Sequence, residues 1–279
     1  MQNRSKAMNE QERRINAWMA KIKHKIVVLS GKGGVGKSTV ATNLAVALAW
    51  KGRSNLVGIL DADITGPSIP KMIGVRKQQL EAGPPGIFPA TGPLGIKIIS
   101  MDFFLQADET PIIWRGPLKS VAIRQFLADV VWGELDFLLI DLPPGTGDEA
   151  LSIMQIIPNI DGVIIVTIPS EVSQIVVKKA VTFTQKLNAP IIGILENMSG
   201  FVCPKCGAET DIFKVGGGQK ISNDLKVPFL GRIPIDPRIC EDSDQGSPFI
   251  TKHSDSPAAK EFMKIVDKIE DFLKKEETD

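Results

Sequence analysis

The sequence lacks a long apolar run, an excess of either charge and a signal for export. Its 33 lysine and arginine residues balance 32 aspartate and glutamate residues, so no overall field attracts nucleic acid or a membrane surface. No uncharged segment approaches the roughly 18 apolar residues of a membrane span, and the N-terminus, MQNRSKAMNEQERR, has no apolar core of a signal peptide. We therefore expect a cytoplasmic protein whose partners include neither nucleic acid nor a membrane.

Residues 1–24 differ from the rest of the chain because they are mostly polar and charged. Within them, apolar side chains recur at helical spacing (Ile15, Trp18, Met19 and Ile22), which predicts a short amphipathic helix that packs on the domain. A partly disordered extension is the alternative. Residues 25–279 are expected to form a single domain.

Short apolar runs alternate with helical patterns from residue 25 onward. Strands are predicted at 25–30, 55–61, 95–100, 136–141, 162–168, 190–197 and 227–233, and helices at 37–50, 117–131, 148–157, 171–187 and 257–275. Runs that are apolar on both faces and separated by helices predict a doubly wound α/β fold. Its mainly parallel sheet would have about seven or eight strands, with helices on both faces and ligands at the carboxyl ends of the strands. Residues 81–95, rich in proline and glycine, are predicted to be a surface loop.

A phosphate-binding loop, SGKGGVGKST, follows the first predicted strand and opens the first helix of the domain. Its glycines let backbone N–H groups converge on phosphate oxygens, the second lysine would reach the β- and γ-phosphates, and the serine would hold Mg²⁺. Residues 25–279 are therefore expected to be a P-loop ATPase domain. The expected nucleotide contacts are Gly31, Gly33, Gly34, Val35, Gly36, Lys37, Ser38 and Thr39.

Lys32 is an additional lysine near the start of this loop. A side chain at this point projects outward, where it either serves a phosphate held by a neighbouring subunit or remains a solvated lysine. GKGGVGKS resembles the deviant Walker A loop shared by nitrogenase iron protein, the ParA partitioning ATPases and the MinD division-site ATPases. That resemblance implies that Lys32 reaches the partner's nucleotide across a sandwich dimer.

Carboxylates follow two further predicted strands at the same edge of the sheet. Asp141 ends the apolar run DFLLID, which is the Walker B arrangement for holding Mg²⁺. By resemblance, the following PPGTG is switch II, where the N–H of Gly145 or Gly147 senses the γ-phosphate. In DADITGPSIP, Asp63 resembles the water-orienting aspartate of switch I, and Asp61 lies where the magnesium shell begins. Helix capping or loop hydrogen bonding is the alternative for both.

Two further segments are expected to bind adenine. Asn197, in ILENMSG, ends another predicted strand, and an amide with both a donor and an acceptor can read the base. The resemblance implies this role for Asn197. It also implies that RIPIDPRI closes the base pocket, with Pro234 and Asp236 near the adenine, although both residue types are common in any turn.

Cys203 and Cys206 belong to a set of only three cysteines, too few for a disulfide framework. In FVCPKCGAE, the proline and glycine favour a metal knuckle, a tight reversal whose N–H groups point at thiolate sulfurs. A redox pair is the alternative, but such a pair opens a helix and the residues that follow here are loop-like. An inert turn is a third interpretation.

One CxxC pair supplies two of the four ligands that zinc or a [4Fe-4S] cluster takes. The other two could come from Cys240 and another group, or from the same pair in a second subunit. A two-fold axis joining two copies across their nucleotide faces would account for both Lys32 and the half-complete cysteine site. We therefore expect a homodimer.

The combined motifs resemble the Mrp family of iron-sulfur cluster carrier ATPases from about residue 22 to 275. They are GKGGVGKS, DADITGPSIP, DLPPGTGDE, ENMSGFVCPKCG and GRIPIDP, in the family's order. The resemblance implies a slow ATPase that uses ATP and Mg²⁺, holds a [4Fe-4S] cluster between two subunits, with zinc possible in its place, and passes the cluster to apo iron-sulfur proteins. The alternatives are a positioning ATPase similar to ParA and MinD, or a zinc-stabilised dimeric switch ATPase.

Overall fold

The computed structural model describes residues 2–105, 116–203 and 205–277. Helices are α1 (Gln2–Met19), α2 (Lys37–Leu48), α3 (Ile69–Met72), α4 (Gly116–Asp129), α5 (Asp148–Ile156), α6 (Glu171–Lys186), α7 (Gly217–Leu225), α8 (Pro237–Gln245), α9 (Phe249–Lys252) and α10 (Pro257–Glu276). Strands are β1 (Ile22–Ser30), β2 (Val57–Asp61), β3 (Ala82–Gly83), β4 (Gly86–Ile87), β5 (Ala90–Thr91), β6 (Lys97–Ser100), β7 (Leu135–Asp141), β8 (Gly162–Thr167), β9 (Ile191–Glu196), β10 (Phe201–Val202), β11 (Glu209–Thr210) and β12 (Phe229–Arg232).

Eight of these strands form one sheet in the order β12-β9-β8-β1-β7-β2-β6-β5. Neighbouring strands pair in parallel except β5, which runs antiparallel to β6 at the edge. Strand β1 lies between β7 and β8, and the register places Asp141 opposite both Val28 and Asp61. The predicted doubly wound fold is confirmed, and the ends of β1, β2 and β7 meet at one edge.

Each face of the sheet is covered by its own apolar core. On one face, α2, α9 and α10 contribute the buried side chains Leu44, Phe249 and Phe262. On the other face, α1, α4 and α6 pack with Ile15, Ile123 and Val177. Because both faces are buried, the strands are continuous apolar runs rather than alternating ones.

The structure differs from the predicted elements at several points. Strand β1 begins at Ile22 because residues 22–28 pair with β7, so Ile22 lies in the sheet rather than on the N-terminal helix. Within the predicted surface loop, β3 and β4 form a small hairpin and β5 joins the sheet. Helices α7 and α8 were not predicted, because one opens with glycines and the other is short and polar. Among the described residues, none of the helices combines the length and apolar character needed to span a membrane.

Candidate functional site

The P-loop lies between the end of β1 and the start of α2. Gly36 caps the helix in the left-handed region (φ 77°), which glycine adopts at little cost. A Cβ on Gly31 would overlap the backbone of Val176 in α6, so this position also requires glycine. A cavity of about 220 Å³ is lined by Ser30, residues 32–39, Asp63, Ser68, Met72 and Pro144. The N–H groups and dipole of α2 make this cavity favourable for an anion.

Lys37 and Asp141 form a buried ion pair at the base of the loop. Lys37 Nζ lies 2.6 Å from Asp141 Oδ1, with side chains 6% and 0% exposed. The Ser38 hydroxyl donates to Asp141 Oδ2 at 2.6 Å. Burial raises the pKa of Asp141, and the positive charge of Lys37 opposes that shift. Because carboxylate and hydroxyl oxygens are the ligands that Mg²⁺ prefers, Ser38 and Asp141 fit the predicted magnesium site.

Asp61 lies beside Asp141 at the end of β2 and is almost fully buried. It accepts hydrogen bonds from the Ser100 hydroxyl (3.0 Å) and from the backbone N–H groups of Ser68 (3.2 Å) and Ile69 (3.4 Å). Burial and the negative charge of Asp141 raise the pKa of Asp61 to about 7. In this structure Asp61 therefore holds the loop after β2 and the start of α3, which is the hydrogen-bonding alternative from the sequence.

Asp63 reaches the P-loop cavity from that same loop, and its carboxylate accepts the Gly66 N–H at 3.3 Å. Two residues further on, the Thr65 hydroxyl accepts a hydrogen bond of 2.7 Å from Lys119 of α4. Lys119 Nζ also donates to Glu149 at the start of α5, at 2.6 Å. Lys119 thus joins the loop after β2 to the helix that follows β7, a contact that no sequence motif signalled.

The predicted switch II segment lies against the P-loop. Pro144 lines the cavity, and the Gly145 N–H donates to the Ser30 carbonyl at 2.9 Å. Gly145 has a φ of 94°, in the left-handed region that glycine tolerates. Contact between this N–H and a phosphate therefore requires the hydrogen bond to Ser30 to break. Gly147 precedes α5 as its N-terminal cap.

The three predicted adenine contacts have different surroundings in this structure. Asn197 lies at the P-loop, where its Nδ2 donates to the Val35 carbonyl at 2.9 Å. Pro234 and Asp236 line a different cavity, of about 310 Å³, together with Cys203. The Asp236 carboxylate accepts the Arg238 N–H at the start of α8 and pairs with the Arg238 guanidinium at 2.6 Å. Although burial acts to raise the pKa of Asp236, the hydrogen bonds from Arg238 hold that pKa below its usual value.

The cysteine pair lies in the loop that joins β10 to β11. Backbone N–H groups of Cys206 and Lys205 donate to the Cys203 sulfur and lower the pKa of its thiol. The loop closes with hydrogen bonds of 2.9 Å from Gly207 N–H to the Cys203 carbonyl and from Cys203 N–H to the Ala208 carbonyl. Pro204 lies outside the described residues. Donation from the backbone N–H groups of Cys206 and Lys205 to the Cys203 sulfur is what a metal knuckle needs.

The described surroundings of the pair offer no complete metal site within one chain. Strand β11 follows Cys206 instead of the helix that a thioredoxin-like pair would open. Cys240 is exposed on α8, and all three thiols are free. Over residues 2–105, 116–203 and 205–277, no group of three or more histidine, cysteine, aspartate or glutamate side chains could hold a metal. Within the described part of the chain, the pair supplies two candidate thiol ligands.

Glu196 is a functional candidate that sequence reasoning missed. It ends β9, is fully buried and precedes Asn197. Its carboxylate accepts hydrogen bonds from Ser199 and Gly216, which flank residues 200–215, the segment that carries the cysteines (the cysteine loop). The one available signal was a charged residue at the end of the apolar run PIIGILE. The sequence analysis gave the functional role of this segment to Asn197, the next residue, and therefore assigned none to Glu196.

The doubly wound sheet, the glycine loop at the start of α2 and the Lys37–Asp141 pair define a P-loop NTPase. More specifically, a model of the family described as ParA: NUBPL iron-transfer P-loop NTPase matches residues 21–270. The chain belongs to this family.

Similar proteins agree with this assignment. An iron-sulfur cluster carrier protein of Methanocaldococcus jannaschii is 60% identical over 264 residues, covering 95% of this chain and 90% of the relative. One from Saccharolobus solfataricus is 57% identical over 251 residues, or 90% and 84% of the two chains. A nucleotide-binding protein of Archaeoglobus fulgidus, solved in complex with ADP and with cobalt found in it, is 41% identical with a TM-score of 0.78, over 90% of this chain and 96% of its own. The septum site-determining protein MinD of Pyrococcus horikoshii, complexed with Mg-ADP, is 25% identical with a TM-score of 0.65, over 88% and 95%.

Proposed function

We propose that this protein is an ATP-hydrolysing iron-sulfur cluster carrier of the cytoplasm that holds a cluster between two copies and transfers it to apoproteins. The observation that carries the proposal is the cysteine pair in a closed turn, in which the Gly207 N–H bonds to the Cys203 carbonyl and the Cys203 N–H bonds to the Ala208 carbonyl. This pair lies on a loop that follows Asn197, a residue bonded to the P-loop. A nucleotide site and a thiolate site thus share one structural unit. The names of two relatives that are 60% and 57% identical support the same function.

Two thiols in each chain favour a cluster shared by two copies, since a [4Fe-4S] cluster takes four thiolates. Exposed apolar side chains surround this part of the molecule: Val172 and Ile175 on α6, and Ile212 and Phe213 after β11. An ion pair of 3.0 Å between Lys214 and Glu171 joins these two groups. Such a patch beside the P-loop and the cysteine loop suits burial against a second copy about a two-fold axis.

ATP hydrolysis in the dimer would use the residues that line the P-loop cavity. Lys37 would bind the β- and γ-phosphates, and Asp63 would orient the attacking water. Lys32 has no acidic partner within ion-pair distance among the described residues, which leaves it available for the nucleotide of the other copy. Mg²⁺, when held by Ser38 and Asp141, would neutralise charge on the phosphates.

The alternative of a membrane-bound positioning ATPase has less support. Its expected anchor would be the apolar stripe of the C-terminal helix. In α10 that stripe is buried in the core through Phe262, Ile265, Val266, Ile269 and Leu273. The helix therefore stabilises the domain and presents its charged side outward.

Anaerobic reconstitution with iron and sulfide tests the carrier function. The parent and a Cys240→Ala control are expected to gain the visible absorbance of a cluster near 400 nm, with about one cluster per dimer. Cys203→Ala and Cys206→Ala should lose it, because each removes two of the four thiolates. Iron and zinc analysis of the same samples distinguishes a cluster from a zinc-stabilised dimer.

A full complement of cluster in either of these two alanine variants would refute the proposal. So would a cluster bound by monomers, which sedimentation of the reconstituted protein would reveal. Transfer is then measured by activation of an apo [4Fe-4S] enzyme, with and without ATP.

A further inference from the structure

Glu196 is a buried carboxylate held by neutral donors. It is the last residue of β9, and its side chain is 0% exposed. Its Oε1 accepts hydrogen bonds from the Ser199 hydroxyl at 2.5 Å and from the Gly216 N–H at 2.9 Å, and its Oε2 accepts one from the Gly218 N–H. Burying a carboxylate is costly, and these three bonds compensate for the lost water.

The three donors lie on the two sides of the cysteine loop. Ser199 precedes the loop, whereas Gly216 and Gly218 follow it at the start of α7. The approach at α7 is close, since a Cβ on Gly218 would lie 3.1 Å from the Glu196 Cβ. Glu196 therefore joins the beginning and the end of the segment that carries Cys203 and Cys206.

The residue that follows Glu196 is bonded to the P-loop. Asn197 Nδ2 donates to the Val35 carbonyl, and the Asn197 N–H donates to the Thr167 carbonyl at 2.7 Å. A Cβ on Gly36 would collide with the Asn197 amide, so the P-loop and this side chain are in close contact. Movement of the P-loop around a phosphate must therefore act on Asn197 and on the backbone next to Glu196.

We propose that Glu196 is a positioning residue that couples the P-loop to the cysteine pair. Its carboxylate accepts hydrogen bonds from residues at both ends of the cysteine loop. Because Asn197 is bonded to the P-loop, a displacement of the P-loop is transmitted to the adjacent backbone of Glu196. Nucleotide binding then changes how the two thiols are presented. The inference rests on the proposed function for its biological meaning, but its test needs neither a cluster nor ATP hydrolysis.

Glu196→Gln tests this coupling because the amide keeps the shape of the side chain while placing an NH₂ group opposite one of the donors. The measurement is the rate at which a chromogenic disulfide reagent modifies metal-free, reduced protein, with and without ADP and Mg²⁺. A Cys240→Ala background leaves only Cys203 and Cys206 to react. ADP affinity and thermal unfolding are measured on the same samples.

In the background protein, ADP is expected to change the modification rate by about fivefold or more. Glu196→Gln should reduce this change to less than about twofold while ADP affinity stays within about threefold. A merely structural role would lower the unfolding temperature without removing the nucleotide response. Glu209→Gln, an exposed glutamate on β11, is the matched control and should keep the full response.

Ser199→Ala is the second variant, since it removes a single donor and leaves the carboxylate in place. It should fold even if Glu196→Gln does not, and it should lose about half of the response on a logarithmic scale. The inference is overturned if the background protein shows no response, if both Glu196→Gln and Ser199→Ala respond in full, or if Glu209→Gln loses its response as well. Because cluster reconstitution is measured separately, failure here leaves the carrier function standing.

Discussion

Removing the charge of Lys37 should destabilise the nucleotide-free protein in a way that depends on pH. Lys37→Met keeps most of the side-chain volume but leaves Asp141, which is 0% exposed, without the cation that lies 2.6 Å from it. At that distance, and with an effective dielectric constant of about 20, the attraction is on the order of 6 kcal/mol. Breaking a buried pair from one side typically costs about 3–5 kcal/mol.

Proton uptake by Asp141 limits this cost. Its ordinary pKa is 3.8, so protonating the carboxyl costs at most about 5 kcal/mol at pH 7.5 and about 1.6 kcal/mol at pH 5, at 1.36 kcal/mol per pH unit. Removing Lys37 raises the folded-state pKa further, and a raised carboxyl pKa gives stability that is present at low pH and lost as pH rises. The loss of stability should therefore be about 3–5 kcal/mol at pH 7.5 and no more than about 2 kcal/mol at pH 5.

Urea unfolding of nucleotide-free protein at the two pH values measures this difference. Lys32→Met is the matched control, because it removes a lysine from the same loop that has no acidic partner within ion-pair distance among the described residues, and it should change stability by less than about 0.5 kcal/mol. Asp141→Asn combined with Lys37→Met should recover part of the loss. Equal stability of Lys37→Met and the parent at pH 7.5, or a loss that grows toward pH 5, would refute the reasoning.

Three further predictions concern catalysis, the N-terminal helix and the loop after β2. Lys32→Ala should keep nucleotide affinity within about threefold while the ATPase rate falls by about tenfold or more, and equal losses of both in titration and turnover assays would argue against action on a second copy's nucleotide. Met19→Ala, at a position 1% exposed, should cost about 2–5 kcal/mol in urea unfolding, whereas Met8→Ala, 62% exposed on the same helix, should cost almost nothing. Similar values for the two would show that α1 is not part of the core. Lys119→Met should increase hydrogen exchange of backbone amides at 62–69 and at the start of α5, and unchanged protection there would contradict its role in joining the two segments.

The sequence predicted the fold because each central strand is buried on both faces. Each of the seven predicted strands appears in the sheet, with ends that shift by up to three residues. Short elements were missed where their own composition was ambiguous. Helix α7, for example, opens with Gly217 and Gly218, and the glycines are there because the backbone approaches Glu196 and Pro169 closely. Such an approach is a property of the packed structure and leaves no local pattern.

The P-loop site was predictable for a related reason. Backbone groups bind the phosphates, so the loop needs glycines at fixed spacing, and Asp141 must follow a buried strand next to it. The sequence could not show that the Ser100 hydroxyl donates to Asp61, since Ser100 lies at the end of a different strand, β6. It also could not show that Pro234 and Asp236 line a cavity together with Cys203.

What the sequence predicted by itself is the chemistry for which each segment is suited: phosphate binding for the glycine loop, magnesium binding for a carboxylate and a hydroxyl, and metal binding for two thiols. What only the tertiary structure decided is how these segments are connected. Glu196 bonds to both sides of the cysteine loop, and Lys119 bonds to two segments that follow different strands. Hydrogen bonds between residues distant in sequence depend on where the chain brings their atoms, and they impose no spacing that a sequence pattern could reveal.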